Sequence, residues 1–325
     1  MYPVLFASQR PYERAENIRT VYDAYDGEKE FITTDASRRH PLIRSGKFHL
    51  MVIDEYPEES PGKCIVLWHA IDGGKTVGYD QPGPYLRPEH SKLIDYISTS
   101  GTGTAQIISS NSGVPIERVL PVGLPRTDAY VGKKKGDGHT VLAGRRSYLF
   151  APTFRNRRET SMPNFNFEWL DSQLSDDELL VVKAHPCSSS FLGSNTYRHI
   201  IEISKDEPST NYLIDCDVVI TDYSSIIFDG YLLGKPSVLI EKTPGFLSTR
   251  GMYFKYPSQY SSRFCDNEKD MLWFARCADG LTETERWCIS RVADMCDGHA
   301  TERVIKLIKE MNDEQKENIN DDENS

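Results

Sequence analysis

The sequence predicts an α/β protein in which two domains, each built on a parallel sheet, follow one another along the chain. Three observations support this prediction: short apolar runs alternate with helical or loop patterns in the first half, the same alternation returns in the second half, and a Pro- and Gly-rich stretch separates them. Alternating β and α patterns are typical of βαβ units, whose strands pair in parallel. We predict a first domain over 1–140 and a second over 141–311, with a ligand cleft between them.

In the first half, four β-branched or apolar runs are predicted strands, and each is followed by a loop or a helical pattern. These runs are VLFAS (4–8), FHLMVID (48–54), CIVLWH (64–69) and YISTS (96–100). The stretch RVLPVGLPRTDAY (118–130) is rich in Pro and Gly, and the polar KKKGDGH (133–139) after it is predicted to be a linker or an exposed loop.

In the second half, five further runs are predicted strands. They are YLFAPTF (148–154), ELLVVKAHP (178–186), NYLID (211–215), DVVITD (217–222) and SVLIEK (237–242). Residues 268–311 are predicted to be helical, because apolar residues recur there at spacings that allow buried faces. The last stretch, 312–325, is acidic with almost no apolar residue and is predicted to be a disordered tail.

Composition excludes several classes of function. The chain has 325 residues, of which 38% are hydrophobic and 26% charged, as in soluble globular proteins. Its formal net charge of -10 argues against a nucleic-acid partner, whose phosphates call for an excess of Lys and Arg. No apolar run approaches the ~20 residues of a membrane span, and the start of the chain lacks a secretory signal, so we expect a cytoplasmic protein.

No metal or cofactor is predicted. The seven cysteines include no CxxC pair and are interpreted as free buried thiols. Cys288, Cys296 and His299 fit no usual zinc spacing, and Asp222 and Asp229 have no carboxylate partner at a ligand-like spacing. The common nucleotide, metalloprotease and hydrolase motifs are absent.

The stretch ITDYSS carries the clearest candidate site, because it joins a predicted strand to a short helix that ends at Gly234. Thr221, Ser224 and Ser225 bring three hydroxyls to the helix N-terminus, where backbone N–H groups and the positive end of the helix dipole favour a phosphate. Alternatively, Thr221, Asp222 and Ser224 cap the helix. Spacing leaves both interpretations open.

Two histidines and several cations follow other predicted strands. His69 precedes a glycine-rich loop and His185 precedes a proline, so both point to a strand-end cleft, where a histidine acts as a base or as a structural hydrogen-bonding group. Arg155 follows a third strand and is suited to pair with phosphate or carboxylate. Arg126 and Arg250 lie in Gly-containing loops, facing either the cleft or solvent.

Six motifs together resemble the CDP-glycerol glycerophosphotransferase family, the teichoic acid primases and polymerases of bacterial cell-wall and capsule synthesis. The resemblance covers roughly 65–255, and the order and rough spacing of the motifs match. The motifs are WH (68–69), GLPRTD (123–128), APTFR (151–155), KAHP (183–186), ITDYSSIIFDGYLLGKP (220–236) and RGMYF (250–254).

The resemblance implies a GT-B-like fold of two Rossmann-like domains facing across a cleft, with the acceptor on the N-terminal domain and the nucleotide donor on the C-terminal one. The implied reaction transfers glycerol phosphate, or a related polyol phosphate, from CDP-glycerol or a similar CDP-polyol to an acceptor hydroxyl and releases CMP. The implied acceptor is a polyol phosphate or a lipid-linked glycan, and the implied location is cytoplasmic, at most peripheral on the inner face of the bacterial cell membrane.

Site residues carried over from the family are matched by position. His69 matches the proposed general base, His185 the histidine near the donor pyrophosphate, and Arg155 the arginine of the PTxR motif. Thr221, Ser224 and Ser225 match the phosphate-holding turn. Further candidates for binding substrate are Lys75, Arg126, Asp222 and Arg250.

The sequence departs from the family pattern at two places. Ala70, Ile71 and Asp72 follow the first histidine where family members usually read GTP, so Lys75 matches only approximately. Cys187 stands where an arginine is common. Two alternatives therefore accompany the leading interpretation: a GT-B glycosyltransferase that uses a nucleotide sugar, and a non-catalytic subunit of such a pathway.

Overall fold

Two six-stranded sheets form the framework of the protein in a computed structural model. All strand pairs in the described part of the chain are parallel, which confirms the predicted α/β class. The structure describes residues 2–35, 39–68, 70–71, 88–142, 144–153, 165–184, 190–204, 207–242 and 252–323.

The strands are short, as is usual for buried parallel sheets. They are β1 (Val4–Ser8), β2 (Lys29–Thr33), β3 (Leu50–Ile53), β4 (Lys63–Leu67), β5 (Tyr96–Thr99), β6 (Val119–Pro121), β7 (Arg146–Phe150), β8 (Glu178–Lys183), β9 (Ile200–Ile203), β10 (Val218–Thr221), β11 (Ser237–Ile240) and β12 (Phe264–Cys265).

Helices connect the strands and close the chain. The α-helices in the described residues are α1 (Glu16–Ala24), α2 (Pro88–Ser91), α3 (Thr102–Ser112), α4 (Phe167–Gln173), α5 (Thr210–Asp215), α6 (Ile226–Leu232), α7 (Glu268–Cys277), α8 (Glu283–Val292) and α9 (Ala300–Glu323). Short 3-10 helices span Tyr12–Arg14, Pro41–Arg44, Ile116–Arg118 and Pro125–Ala129.

The chain divides into two compact units. Unit 1 contains the described residues up to Val131 together with those from Arg291 onward, and unit 2 contains Gly132–Ser290. The division therefore falls near the predicted boundary at residue 140, but the C-terminal segment belongs to unit 1.

The polar stretch after Val131 is held by unit 2. The Asp215 carboxylate, which is fully buried, accepts hydrogen bonds from the backbone N–H groups of Gly136 (2.8 Å), Gly138 (3.0 Å) and Thr140 (2.7 Å). Burial alone would raise the pKa of Asp215, but these bonds lower it below the ordinary value. A single buried carboxylate thus fixes the segment that the sequence predicts to be a linker or loop.

Helix α9 belongs to unit 1, whereas the residues up to 311 were predicted from the sequence to lie in the second domain. The helix also continues through much of 312–325, which was predicted to be a disordered tail. Val304, Ile308 and Met311 are buried in a core cluster of unit 1. The amide of Asn312 donates to the Tyr2 carbonyl (3.0 Å) and lies 3.4 Å from the Tyr25 hydroxyl. The apolar stripe and this buried amide extend the packed helix past residue 311, and α9 ends only at Glu323.

The GLPRTD stretch explains why the C-terminal segment packs where it does. Asp128 accepts hydrogen bonds from the backbone N–H groups of Ala300 (3.1 Å) and Thr301 (2.7 Å), so it caps the N-terminus of α9. Gly123 has φ +88°, and a Cβ there would lie 2.3 Å from the Met295 carbonyl oxygen. Only glycine permits this backbone conformation together with such close packing.

The two sheets differ in strand order. Unit 1 has the order β2-β1-β3-β4-β5-β6, in which the direction of strand addition reverses between β1 and β3. Unit 2 has the order β12-β11-β10-β7-β8-β9, the Rossmann order, which reverses between β7 and β10. Ligands of open α/β sheets bind outside the carboxyl ends of the strands at such a reversal.

One predicted strand is wrong, and four strands were not predicted. NYLID forms helix α5, with Leu213 and Ile214 buried; short apolar runs do not distinguish helix from strand. The strands that were missed are β2, β6, β9 and β12. All four have partly exposed side chains and lie at sheet edges, where the apolar signal is weakest.

Candidate active site

The strand reversal of unit 2 lies between the ends of β7 and β10, and two hydrogen bonds connect these ends. The Thr221 hydroxyl donates to the Ala151 carbonyl oxygen (2.6 Å), and the Thr153 backbone N–H donates to Asp222 Oδ1 (2.7 Å). The ITDYSS turn and the APT stretch therefore meet at the place where the Rossmann order favours ligand binding.

Asp222 shapes this turn from inside. Only 3% of the residue is exposed, and Oδ1 also accepts the backbone N–H of Tyr223 (2.6 Å). Thr221 is fully buried. Thr221 and Asp222 thus connect neighbouring backbone segments in this structure and do not cap α6.

Ser224 and Ser225 lie closer to the surface. Both are half-buried, and Ser225 is the N-cap residue of α6 but makes no side-chain capping bond. The Ile226 backbone N–H lies 3.4 Å from the Ser224 hydroxyl oxygen, a long hydrogen bond. The two serine hydroxyls are therefore the polar groups of the turn with the most capacity left for a ligand.

Helix α6 is fixed firmly behind the turn. Gly234 has φ +71°, and the N–H groups of Gly234 and Lys235 donate to the carbonyls of Tyr231 (3.0 Å) and Gly230 (2.8 Å). This pattern is a Schellman motif, and Gly234 ends the helix as the sequence predicts. A Cβ at Gly230 would lie 2.9 Å from Val219, so this glycine lets α6 pack closely against β10.

Two tyrosines form an aromatic wall behind the turn. The rings of Tyr223 and Tyr256 lie 4.9 Å apart, and the Tyr223 hydroxyl donates to the Glu241 carboxylate. The Tyr256 hydroxyl lies 3.4 Å from the Asp222 carbonyl oxygen, and burial raises the pKa of Tyr256 far above its ordinary value. Sequence reasoning missed this wall, because Tyr256 is 31 or more residues from the turn and no local pattern connects them.

At the reversal of unit 1, between β1 and β3, a second buried carboxylate is present. Asp54 directly follows β3 and is 3% exposed, and its Oδ2 accepts the Ser8 hydroxyl (3.0 Å). Ser8 Oγ in turn accepts the Arg10 backbone N–H (2.9 Å). Burial raises the pKa of Asp54 to about 6, although the Ser8 hydrogen bond and the Arg10 charge oppose this shift. The sequence signal for this site, an aspartate directly after an apolar run, was not used.

Asn17 connects two of the motifs that carry the family resemblance. This buried side chain donates from Nδ2 to the Trp68 carbonyl oxygen (3.0 Å) and accepts the Arg126 backbone N–H at Oδ1 (2.9 Å). It therefore fixes the residue before His69 and the first turn of the Pro125–Ala129 helix together. The half-buried Arg126 side chain lies 3.2 Å from the Tyr130 hydroxyl.

Five of the predicted site residues lie outside the described residues. They are His69, Lys75, Arg155, His185 and Arg250. Near His185, the buried Lys183 at the end of β8 donates to the Ser204 carbonyl oxygen (2.7 Å).

No helix among the described residues is long and apolar enough to cross a membrane. Of the cysteines that the structure describes as free thiols, Cys277 is exposed and the others are buried.

Comparison with solved structures identifies the fold. The wall teichoic acid polymerase TagF matches with a TM-score of 0.73 and 17% sequence identity, over 96% of this chain and 90% of that chain. At this identity the likeness shows the fold alone. The fold is therefore α/β and GT-B-like, with two Rossmann-like units.

Comparison with curated proteins identifies sequence relatives. A teichoic acid poly(ribitol-phosphate) polymerase of Bacillus spizizenii strain W23 is 25% identical over 94% of this chain and 56% of its own length. A teichoic acid glycerol-phosphate primase of Bacillus subtilis strain 168 is 27% identical over 65% of this chain and 58% of its own length. The chain thus spans less than two thirds of the length of these relatives.

A protein-family model provides the assignment. The model described as CDP-glycerol:poly(glycerophosphate) glycerophosphotransferase matches residues 10–310, which include the strand reversal of unit 2 and Asp54 of unit 1. The chain therefore belongs to the CDP-glycerol:poly(glycerophosphate) glycerophosphotransferase family.

Proposed function

We propose that the protein transfers a polyol phosphate from a CDP-polyol, CDP-glycerol or CDP-ribitol, to an acceptor hydroxyl. The acceptor oxygen attacks the phosphorus atom that carries the polyol, the bond from this phosphorus to the CMP phosphate oxygen breaks, and the hydroxyl proton passes to a base. The products are CMP and a phosphodiester. The observation that carries this proposal is the family match over residues 10–310.

The turn at the strand reversal of unit 2 suits the donor. Ser224 and Ser225 are half-buried and lie beside the first backbone N–H groups of α6. Hydroxyl and backbone N–H groups in this arrangement can donate hydrogen bonds to phosphate oxygens. In this proposal Ser224, Ser225 and Arg155 contact the donor phosphates. Thr221 and Asp222 hold the turn in shape through their bonds to the backbone after β7.

The two histidines supply the proton chemistry in this proposal. His69 removes the proton from the acceptor hydroxyl, and His185 stabilises the charge that develops on the donor pyrophosphate. Phosphoryl transfer depends mainly on the positioning of the reacting groups and on oriented hydrogen-bond donors. In this proposal the hydrogen bond from Asn17 to the Trp68 carbonyl oxygen therefore helps to position the neighbouring His69. Lys75, Arg126 and Arg250 are further candidates for substrate contacts.

We also propose the setting of the reaction. The product is a teichoic-acid-like or capsular polymer, since the curated relatives named above are teichoic acid enzymes. The acceptor is a polyol phosphate or a lipid-linked glycan, and the protein reaches it as a cytoplasmic protein with at most peripheral contact with the inner face of the membrane. The net charge of -10 favours docking through the acceptor or a local patch over a broad basic surface.

The test is release of CMP by the purified protein from CDP-glycerol and from CDP-ribitol, with and without an acceptor primed with polyol phosphate. We expect acceptor-dependent release from one of the two donors. His69→Ala and His185→Ala should each lower the rate on the order of 100-fold or more, as expected for loss of a general base or a charge-stabilising group.

His299→Ala is the matched control, because His299 is an exposed histidine paired with the exposed Glu302. It should leave the rate unchanged. The absence of CMP from both donors with a folded protein would contradict the proposal, and nucleotide-sugar turnover in the same assay would favour the glycosyltransferase alternative.

A further inference from the structure

We propose that Asp54, together with Ser8 and Arg10, forms the binding site for the acceptor polyol phosphate, with the Asp54 carboxylate accepting a hydrogen bond from a polyol hydroxyl. This inference rests on the proposed function, because it names residues that hold the second substrate. It adds a specificity site in unit 1 to the donor site proposed in unit 2.

The position of Asp54 in the sheet is the first argument. Ala7 of β1 pairs with Ile53 of β3, and Ser8 and Asp54 are the next residues along these two strands. They therefore stand side by side at the carboxyl ends, where the strand order of unit 1 reverses. In a sheet of this order, the crevice between β1 and β3 is the place where ligands bind.

The unused hydrogen-bonding capacity of Asp54 is the second argument. The residue is 3% exposed, and Oδ2 accepts the Ser8 hydroxyl, but within the described chain no group donates a hydrogen bond to Oδ1. A buried carboxylate oxygen without a donor is unfavourable and uncommon in folded proteins.

Two other buried carboxylates among the described residues, Asp215 and Glu285, have more hydrogen-bond and ion-pair partners than Asp54. Asp215 accepts four hydrogen bonds from the 136–140 segment. Glu285 accepts from the Ser237 backbone and is paired with Arg263 at 3.1 Å. These carboxylates hold the fold together, whereas one oxygen of Asp54 accepts no hydrogen bond from the described chain.

The surroundings of Asp54 select one part of the ligand. A carboxylate repels phosphate and accepts hydrogen bonds from hydroxyl groups, so it recognises the polyol end of the acceptor. Arg10 is exposed, and its positive charge lowers the pKa of the Asp54 carboxyl. In this proposal its guanidinium pairs with the phosphate of the acceptor while Asp54 binds the polyol hydroxyl. The Arg10 N–H donates to Ser8 Oγ, which orients the Ser8 hydroxyl toward Asp54.

Oδ1 is enclosed, so a ligand hydroxyl reaches it when the carboxylate turns. Rotation about χ2 of an aspartate is a soft motion, because this torsion joins an sp³ to an sp² carbon. In this proposal a local rotation of the Asp54 side chain opens the carboxylate to the polyol hydroxyl.

Binding of a synthetic glycerol phosphate trimer and of a ribitol phosphate trimer, measured by calorimetry, tests the inference without relying on turnover. The wild type should bind one of the trimers. Asp54→Asn should weaken that binding on the order of 10-fold, because a hydrogen bond to a charged group is lost. The affinity for CDP-glycerol or CDP-ribitol should stay the same.

Asp95→Asn is the matched control. Asp95 is a half-buried carboxylate of unit 1 that precedes β5 and accepts the Cys64 backbone N–H (2.8 Å), at the opposite end of the sheet. This variant should bind the trimer as the wild type does. Ser8→Ala, which removes only the neighbouring hydroxyl, should weaken trimer binding by a smaller factor and serves as the second variant if Asp54→Asn does not fold.

Failure of this inference is distinguishable from failure of the proposed function. Wild-type affinity for the trimer in both Asp54→Asn and Ser8→Ala overturns the inference, as does a wild type that binds neither trimer. If Asp54→Asn releases CMP with an unchanged KM for the acceptor, the proposed function is supported and the acceptor site at Asp54 is contradicted. Asp54-dependent trimer binding without any CMP release would support the site and remove the function.

Discussion

Each of the two sheets has a buried aspartate at the carboxyl end of a strand, but the two aspartates have different hydrogen-bond partners. In each unit an aspartate that is 3% exposed directly follows a strand at the reversal of the strand order: Asp54 in unit 1 and Asp222 in unit 2. Asp222 accepts two backbone N–H groups at one oxygen, whereas Asp54 accepts a single serine hydroxyl and its second oxygen accepts no hydrogen bond within the described chain.

The two aspartates therefore differ in how much of their hydrogen-bonding capacity the surrounding backbone uses. Asp222 of unit 2 accepts two backbone N–H groups and so stabilises the backbone of the turn that carries Ser224 and Ser225, which is a structural role. The acid of unit 1 adds little to backbone structure and is held in a desolvated site that raises its pKa to about 6. The first is therefore expected to matter most for stability, and the second for the binding of the acceptor.

The largest expected effect follows from removal of the structural acid. Asp222→Ala leaves the buried N–H groups of Thr153 and Tyr223 without an acceptor, which should lower the free energy of unfolding by about 4 kcal/mol. Asp222→Asn retains an acceptor oxygen and should cost about 1 kcal/mol. Denaturant unfolding of the two variants measures this, and equal losses would show that the backbone bonds do not hold the turn.

The stability of the protein should depend on pH through Asp54. The folded-state pKa of Asp54 is about 6, above the ordinary value of 3.8, so the folded state binds this proton more tightly. Its stabilising contribution is complete below pH 4 and is lost as the pH rises through 6. The free energy of unfolding of the wild type should therefore fall by about 2.5 kcal/mol relative to Asp54→Asn between pH 4 and pH 7.

Urea titrations of both proteins across this pH range provide the measurement. Parallel stability curves would contradict the buried, desolvated setting of Asp54. Asp95→Asn serves as the reference for removal of an acid at the other end of the same sheet.

A smaller effect is expected at the residue that joins two motifs on the unit 1 side. Asn17→Ala removes the acceptor of the Arg126 N–H and the donor to the Trp68 carbonyl, which should lower the free energy of unfolding by about 2 kcal/mol. The rate of CMP release should fall as well, because the chain next to His69 loses its support. Thr20→Ala, a half-buried position on the same helix α1 whose hydroxyl donates only to the Glu16 carbonyl oxygen of its own helix, should change stability by less than about 0.5 kcal/mol.

The smallest change in stability is expected at the turn of unit 2. Ser225 makes no side-chain capping bond, so Ser225→Ala should alter the free energy of unfolding by less than about 0.5 kcal/mol. In the proposed function the same variant should raise the KM for the donor on the order of 10-fold, with an unchanged KM for the acceptor. A donor KM equal to that of the wild type would remove Ser225 from the donor site.

Much of the framework could be predicted from the sequence. Eight of the nine predicted strand runs contain observed strands, because continuous apolar runs suit buried parallel sheets. Gly234 ends α6 as predicted, since a glycine in the left-handed region can be recognised from its place before Lys235 and Pro236. NYLID was wrong, because a short run carries no period long enough to tell helix from strand.

The candidate site was predicted less completely. The ITDYSS turn could be found because its hydroxyls are contiguous in sequence, and the strand reversal agrees with it. Ser8 and Asp54 could not be combined, since they are 46 residues apart and meet only because β1 and β3 become neighbours. Asn17 likewise could not be connected to Trp68 and Arg126, which are 51 and 109 residues away. Tyr256 could not be predicted for the same reason, because it contacts Tyr223 of the turn only in the folded chain.

The amino-acid sequence by itself determined the α/β class, the family and the turn chemistry of the second half, because these depend on local composition and contiguous motifs. Only the tertiary structure decided that α9 belongs to unit 1 and that Asp128 caps it, and only strand order placed Ser8 beside Asp54. Such features depend on which distant segments become neighbours when apolar surface is buried. A linear pattern contains the residues for these contacts but not their pairing.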